Sequence, residues 1–254
     1  MKSMRKIVQQ IAVIAMILVL WQLGSYFGWW SRFILPSPEK VMGTFGKMVM
    51  DGVIYGHIWA SLQRIIIGFS FTMVIAIPLG IVFGLNKGLY AWFRPVFEFM
   101  RNTPPLALVP MLILWFGIGE KSKIILIILA SFFPVFLNTQ KGVSSCDQKL
   151  IEVGNVFQMS PWQRFCKIIL PYSMTDILLG LKLGIGYTWR SIIGAEMIAA
   201  SSGLGYLILD GQQLSRSDVV IVGIMVIGVL GLLSDYLFGR IVKWASRGRQ
   251  IIYE

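Results

Sequence analysis

An all-α membrane protein with six transmembrane helices is the fold class this sequence predicts, and three observations carry the prediction. Hydrophobic residues fill 56% of the 254 positions and charged residues only 14%, against about 25% charged in an ordinary soluble domain. Uncharged apolar runs recur at about the 20 residues needed to cross a hydrocarbon core of about 30 Å. The intervals between them are rich in Lys and Arg, as cytoplasmic loops of membrane proteins are.

The net charge of +11 follows from that loop bias. No basic patch with interleaved aromatics is present, so nucleic acid is not an expected partner. Cys146, Cys166 and the single His57 are too scattered for a metal-ligand cluster, and the two thiols, expected in the cytoplasm, should stay reduced.

The first span is Ile7–Phe27, preceded by Lys2, Arg5 and Lys6. It is too long for the apolar core of a signal peptide and no small-residue cleavage site follows, so a retained span is expected. Gly28–Ala60 is mixed, broken by Pro36, Pro38 and Gly52, with Trp29 and Trp30 where an interfacial aromatic belt belongs. Ile65–Leu85 is the second span, with Pro78 expected to kink it. Asn86–Thr103 is polar. The third apolar run, Leu106–Ile118, follows Pro104 and Pro105 and is too short to cross alone. It is either re-entrant or the end of a span that starts before the prolines. Ile124–Val143, Ile177–Ala200 and Val219–Phe238 are the fourth, fifth and sixth spans. With the N-terminus inside, cytoplasmic segments hold fourteen Lys and Arg and outer segments, Arg64 included, seven. Both termini are therefore expected in the cytoplasm. The division expected is 1–57 for the first helix and its outer loop, 58–245 for the main transmembrane domain, and 246–254 for a cytoplasmic tail.

Ser145–Pro171 is the most polar long interval. Ser145 and Gln148 have capping-box spacing and predict a helix from near Cys146, with Leu150, Val153, Gly154 and Phe157 on one apolar face. Ser160, Pro161 and Gln163 repeat the start signal, and Pro171 is expected to end that second helix. Two short amphipathic helices on the membrane surface, without a reactive centre, suit the docking of another protein.

The fifth span carries Lys182, Arg190 and Glu196 in apolar sequence, where each ionisable group costs at least about 2.5 kcal/mol at the bilayer centre. Gly180, Gly184, Ser191 and Gly194 share one stripe, expected to pack on a neighbouring helix. Lys182, Trp189 and Glu196 share the opposite stripe, expected to face a cavity or pathway, and Arg190 lies nearest the middle. Interfacial snorkelling of Lys182 and Glu196, or a partner such as Asp235 for Arg190, is the structural alternative.

Glu152-Val153-Gly154, Gln158 and Ile168-Ile169-Leu170-Pro171 resemble the EAA loop of ABC importer permeases. That loop has the pattern Glu-Ala-Ala, three residues, Gly, nine residues, Ile-x-Leu-Pro. Gly154 replaces the second Ala and Gln158 the Gly, a substitution unfavourable at a positive-φ turn. Arg101–Ile124, with its prolines and Trp115-Phe116-Gly117-Ile118-Gly119-Glu120, and Ser202-Gly203-Leu204-Gly205 are similar to permeases of the taurine, alkanesulfonate and nitrate group. The resemblance implies a type I importer fold with a cytoplasmic coupling loop. Within that loop, Glu152, Gly154, Gln158, Ser160, Trp162, Leu170 and Pro171 would couple to the ATPase. It also implies two ABC ATPase subunits, an extracytoplasmic solute-binding protein and a permease homodimer in the cell membrane. No phosphate-binding G-x-x-x-x-G-K-[ST] occurs, so ATP and Mg are expected on the partner ATPase, with no cofactor on this chain and no enzymatic activity of its own. An ion-gradient-driven secondary transporter is the alternative, and it predicts inverted repeats.

Overall fold

The computed structural model describes residues 2–245, so the expected 246–254 tail lies outside the described residues. Eleven α-helices follow in order among them, with one 3-10 turn and one π-helical turn. They are α1 Lys2–Phe27, α2 Pro38–Met50, α3 Val53–Leu85, α4 Lys87–Asn102, α5 Val109–Phe116, α6 Glu120–Ser144, α7 Gln148–Val156, α8 Pro161–Arg164, α9 Leu170–Ala199, α10 Leu204–Gln213 and α11 Ser217–Ala245. Among the described residues, four helical stretches are long and apolar enough to cross a membrane: Val53–Leu85, Glu120–Ser144, Pro161–Ile198 and Ser217–Trp244. Ala12–Phe27 and Pro105–Phe116 are shorter apolar helices.

All six expected apolar segments are thus helical, and the boundaries of the second, third and fifth differ in ways that bear on the site. The second begins at Val53, so Arg64, expected in an outer loop, lies inside α3. Helix α3 also runs across the expected 57/58 division. The third does not extend back through the prolines: α4 closes at Thr103, and a 3-10 turn Pro105–Leu108 opens into α5. A residue before proline is pushed out of the helical region, and Thr103, at ψ 119, is extended. The fifth begins at Leu170 and is reached without a break from α8.

The described residues form two compact units, the chain up to Ala60 with Ser201–Gly228, and Ser61–Ala200 with the chain from Val229 onward. In the first, the mixed interval contains α2, started by the Ser37 cap and Pro38. The apolar face of α2 joins Val41 to Ile54 and Val222, all about 1% exposed. Thr44 Oγ1 donates to Asp218 Oδ2 at 2.7 Å, fixing α2 to the start of α11.

In the second unit α6 and α9 lie together along much of their length, because the glycine stripe on α9 lets their backbones close in. A Cβ at Gly180 would meet Asn138 Cβ at 2.8 Å, and one at Gly184 would meet Val135 Cγ2 at 2.8 Å. Gly194 faces Leu106 instead. Thr72 and Ser131 share a buried 2.8 Å hydroxyl contact that ties α3 to α6. Val109, Leu112, Leu126 and Ala195 seat α5 on α6 and α9.

Candidate coupling segment and ion cluster

The polar interval folds as expected in outline and differently in its joints. Helix α7 starts at Gln148 with Asp147, not Ser145, as the N-cap: Asp147 Oδ1 accepts from Lys149 N at 3.0 Å. Ser145 cannot serve, because α6 runs to Ser144 and Ser145 closes it with its N–H on Lys141 O at 2.9 Å. The second box is present in full. Ser160 N–H donates to Gln163 Oε1 at 2.9 Å, and Gln163 N–H donates to Ser160 Oγ at 3.2 Å.

Between the helices, Gln158 N–H donates to Asn155 O at 2.9 Å and Met159 N–H to Gly154 O at 3.0 Å. This pair of bonds is a Schellman closure, which needs a left-handed residue and usually employs glycine. Gln158 takes that place at φ 49. The turn is therefore kept and the unfavourable residue carries it.

Pro171 does not end the second helix. Phe165–Ile169 is a π-helical turn in which Leu170 N–H reaches back five residues to Phe165 O, and α9 continues from there. The wider turn accommodates a ring that would clash with a regular α-helical carbonyl.

The expected apolar face of α7 is turned outward: Leu150, Val153 and Phe157 are exposed, Phe157 to 71%. Gly154 faces inward alone among them, and a Cβ there would stand 2.8 Å from Ile168 Cδ1 and 3.1 Å from Arg164 Cγ. Arg164 also donates to Asn155 Oδ1. Helix α7 is thus clamped on the segment leading into α9. Trp162 is 72% exposed, 5.6 Å from the Phe165 ring. Glu152 and Pro171 are exposed and Leu170 half-buried. Glu152 is thus exposed on the same loop as the exposed apolar side chains of Val153, Val156, Phe157 and Trp162.

Helix α9 distributes its polar groups differently from expectation. Trp189 is buried, its Nε1 donating to Ser234 Oγ at 3.1 Å, and Glu196 has no exposed surface, so neither faces a cavity. It is Lys182, not Arg190, that pairs with Asp235, at 3.3 Å. Arg190 is exposed and lies 5.6 Å from the centre of the Tyr187 ring.

The partner of Glu196 is a group that sequence reasoning assigned to an outer loop. Arg64 Nη1 donates to Glu196 Oε1 at 2.7 Å, and Ser61 Oγ donates to the same carboxylate at 2.8 Å. Arg64 Nε and Nη2 grip Glu120 at 2.6 and 2.8 Å, and Lys123 Nζ adds a third bond at 2.9 Å. Two cations and two carboxylates thereby join α3, α6 and α9 in a balanced cluster, the condition for burying such groups. The readable signal is an Arg directly before one apolar run, Ile65–Leu85, and a Glu near the end of another, Ile177–Ala200.

A family model described as "Binding-protein-dependent transport system inner membrane component" matches residues 76–247. The putative aliphatic sulfonates transport permease protein SsuC of Bacillus subtilis (strain 168) is 37% identical over 236 residues, covering 91% of this chain and 86% of its own. The taurine transport system permease protein TauC of Escherichia coli (strain K12) is 35% identical, with 94% and 90% covered. The nitrate import permease protein NrtB of Synechocystis sp. (strain ATCC 27184 / PCC 6803 / Kazusa) is 33% identical, with 91% and 86% covered. A chain of the MetNI methionine ABC transporter in an inward-facing conformation shares the fold, with a TM-score of 0.67 at 17% identity over 78% of this chain and 97% of its own. This chain therefore belongs to the binding-protein-dependent transport system inner membrane component family, as a multi-pass inner-membrane permease subunit of an ABC importer that works with an ATPase and a binding protein and is not itself an enzyme.

Proposed function

We propose that two copies of this chain form the translocation pathway of an importer with two ATPase subunits and one extracytoplasmic solute-binding protein. Its solute is a small molecule bearing a singly charged oxyanion group of the sulfonate or nitrate class. The relatives' solutes support that class, and the loop charge balance supports cytoplasmic termini. ATP and Mg²⁺ bind the ATPase, whose closure moves residues 145–171 and through them α9. Glu152, Gly154, Gln158, Ser160, Trp162, Leu170 and Pro171 form or frame that contact. The α9 surface bearing Arg190 faces the pathway, while Lys182, Trp189 and Glu196 hold the helix in place.

The observation that carries this reading is the set of exposed apolar side chains, Val153, Val156, Phe157 and Trp162, on the loop that carries Glu152, set on a frame stiffened at both joints. An apolar patch on a polar loop is an interaction surface, and the unbroken helix from Pro161 into α9 gives it leverage. Proteoliposomes containing the permease, its ATPase and its binding protein should take up labelled methanesulfonate, taurine or nitrate when ATP is present on the ATPase side. Uptake only of solutes that lack an oxyanion group would overturn the assignment.

A further inference from the structure

The ion cluster is built unequally. Glu196 is 0% exposed and held by both Arg64 and Ser61, whereas the Glu120 side chain is 56% exposed. Glu120 is the first residue of α6 and follows Gly117-Ile118-Gly119, with Gly117 in the left-handed region at φ 77. Arg64 presents Glu120 with two parallel donors, and the Arg64 and Lys123 side chains are only 7% and 4% exposed. Two buried cations therefore converge on a carboxylate that solvent reaches. With Glu120 turned outward, Arg64, Lys123 and Glu196 leave one net positive charge facing a two-pronged donor edge.

We propose that this edge is an oxyanion seat. The Glu120 carboxylate fills it in the resting subunit, and the monoanionic head of the solute takes its place during passage. The proposal rests on the anionic solute class proposed above. A guanidinium fork holds carboxylate and other oxoanions through the same parallel N–H bonds. Glu196 and Ser61, locked beneath, keep Arg64 from following the anion as it leaves. The seat lies where α6 begins and α9 ends, about three turns into α3, toward the extracytoplasmic end in the proposed orientation, where the solute arrives.

Glu120→Gln removes the competing charge and keeps the side chain's size. The thermal unfolding midpoint of the permease–ATPase complex is read against methanesulfonate at fixed ionic strength, with neutral dimethyl sulfone as control. Glu120→Gln should respond at concentrations at least about tenfold below those the natural chain needs. Dimethyl sulfone should have no effect, and adding Arg64→Lys should abolish the response. Equal responses in the natural chain and Glu120→Gln, or a response that survives Arg64→Lys, would reduce the cluster to a fixed clamp and overturn the seat. If Glu120→Gln does not fold, Glu120→Asp, one methylene shorter, should shift the response in the same direction by less, and no shift there also overturns the proposal. Anion-dependent stabilisation of Glu120→Gln without uptake of any anion would reject the solute class and keep the seat. Anion uptake without that stabilisation would do the reverse.

Discussion

The backbone N–H of Met159 donates to the carbonyl of Gly154 at 3.0 Å, and this bond can form only because Gln158 between them is left-handed. A non-glycine residue there carries about 1–2 kcal/mol of steric cost, which glycine avoids. Gln158→Gly is expected to stabilise the permease by about 1 kcal/mol without loss of coupling. A lowered thermal unfolding midpoint would show that the Gln158 side chain contributes more than its backbone costs.

Gly154 faces Ile168 and Arg164 with no room for a branched side chain. Gly154→Ala meets the far end of Ile168 and the flexible stem of Arg164, both of which can give by a few tenths of an ångström, and should be tolerated. Gly154→Leu should push α7 off its frame and reduce ATPase co-purification while the subunit remains in the membrane. Undiminished co-purification by Gly154→Leu would show that α7 needs no fixed seat.

Removing Arg64 takes away the guanidinium that donates to the buried Glu196 carboxylate at 2.7 Å and balances its charge. Arg64→Ala is expected to cost about 3–5 kcal/mol, visible as a collapse of membrane yield and thermal midpoint. Glu196→Gln in the same chain should recover part of that loss, and a further fall would mean the pair is not what stabilises the helix contact.

Trp189 and Ser234 bind α9 to α11 through one hydrogen bond at 3.1 Å. Trp189→Phe and Ser234→Ala should each cost about 1 kcal/mol, and the double variant should cost less than their sum. Strict additivity would indicate that the bond contributes nothing.

Apolar runs were enough to locate all six helical segments, five of them by length and the third, Leu106–Ile118, by composition between its prolines and Gly117. The glycine stripe on α9 was also legible, since packing of small residues follows directly from helical spacing. The joints were not. Ser145 and Asp147 are both cap residues by type, and only the end of α6 decides between them. Pro171 reads as a stop until the π-helical turn before it is seen. Arg64 was hidden by its charge: a polar residue beside an apolar run looks like a loop residue unless its partners Glu120 and Glu196, 56 and 132 residues away, are known. The outward turn of Leu150, Val153 and Phe157 was unreadable for a similar reason, because an apolar helix face looks the same whether it meets its own chain or another.

The central claim is that ATP-driven motion of a separate subunit enters this chain at Glu152 and the exposed apolar side chains of its loop. Anion uptake and binding-protein-stimulated ATP hydrolysis, compared in proteoliposomes for the natural chain and Glu152→Ala at equal membrane content, test it most directly. The account predicts that uptake requires the ATPase and falls at least about tenfold in the variant, equivalent to about 1.4 kcal/mol of lost coupling. Full uptake by Glu152→Ala, or uptake by the permease with no ATPase present, would contradict it.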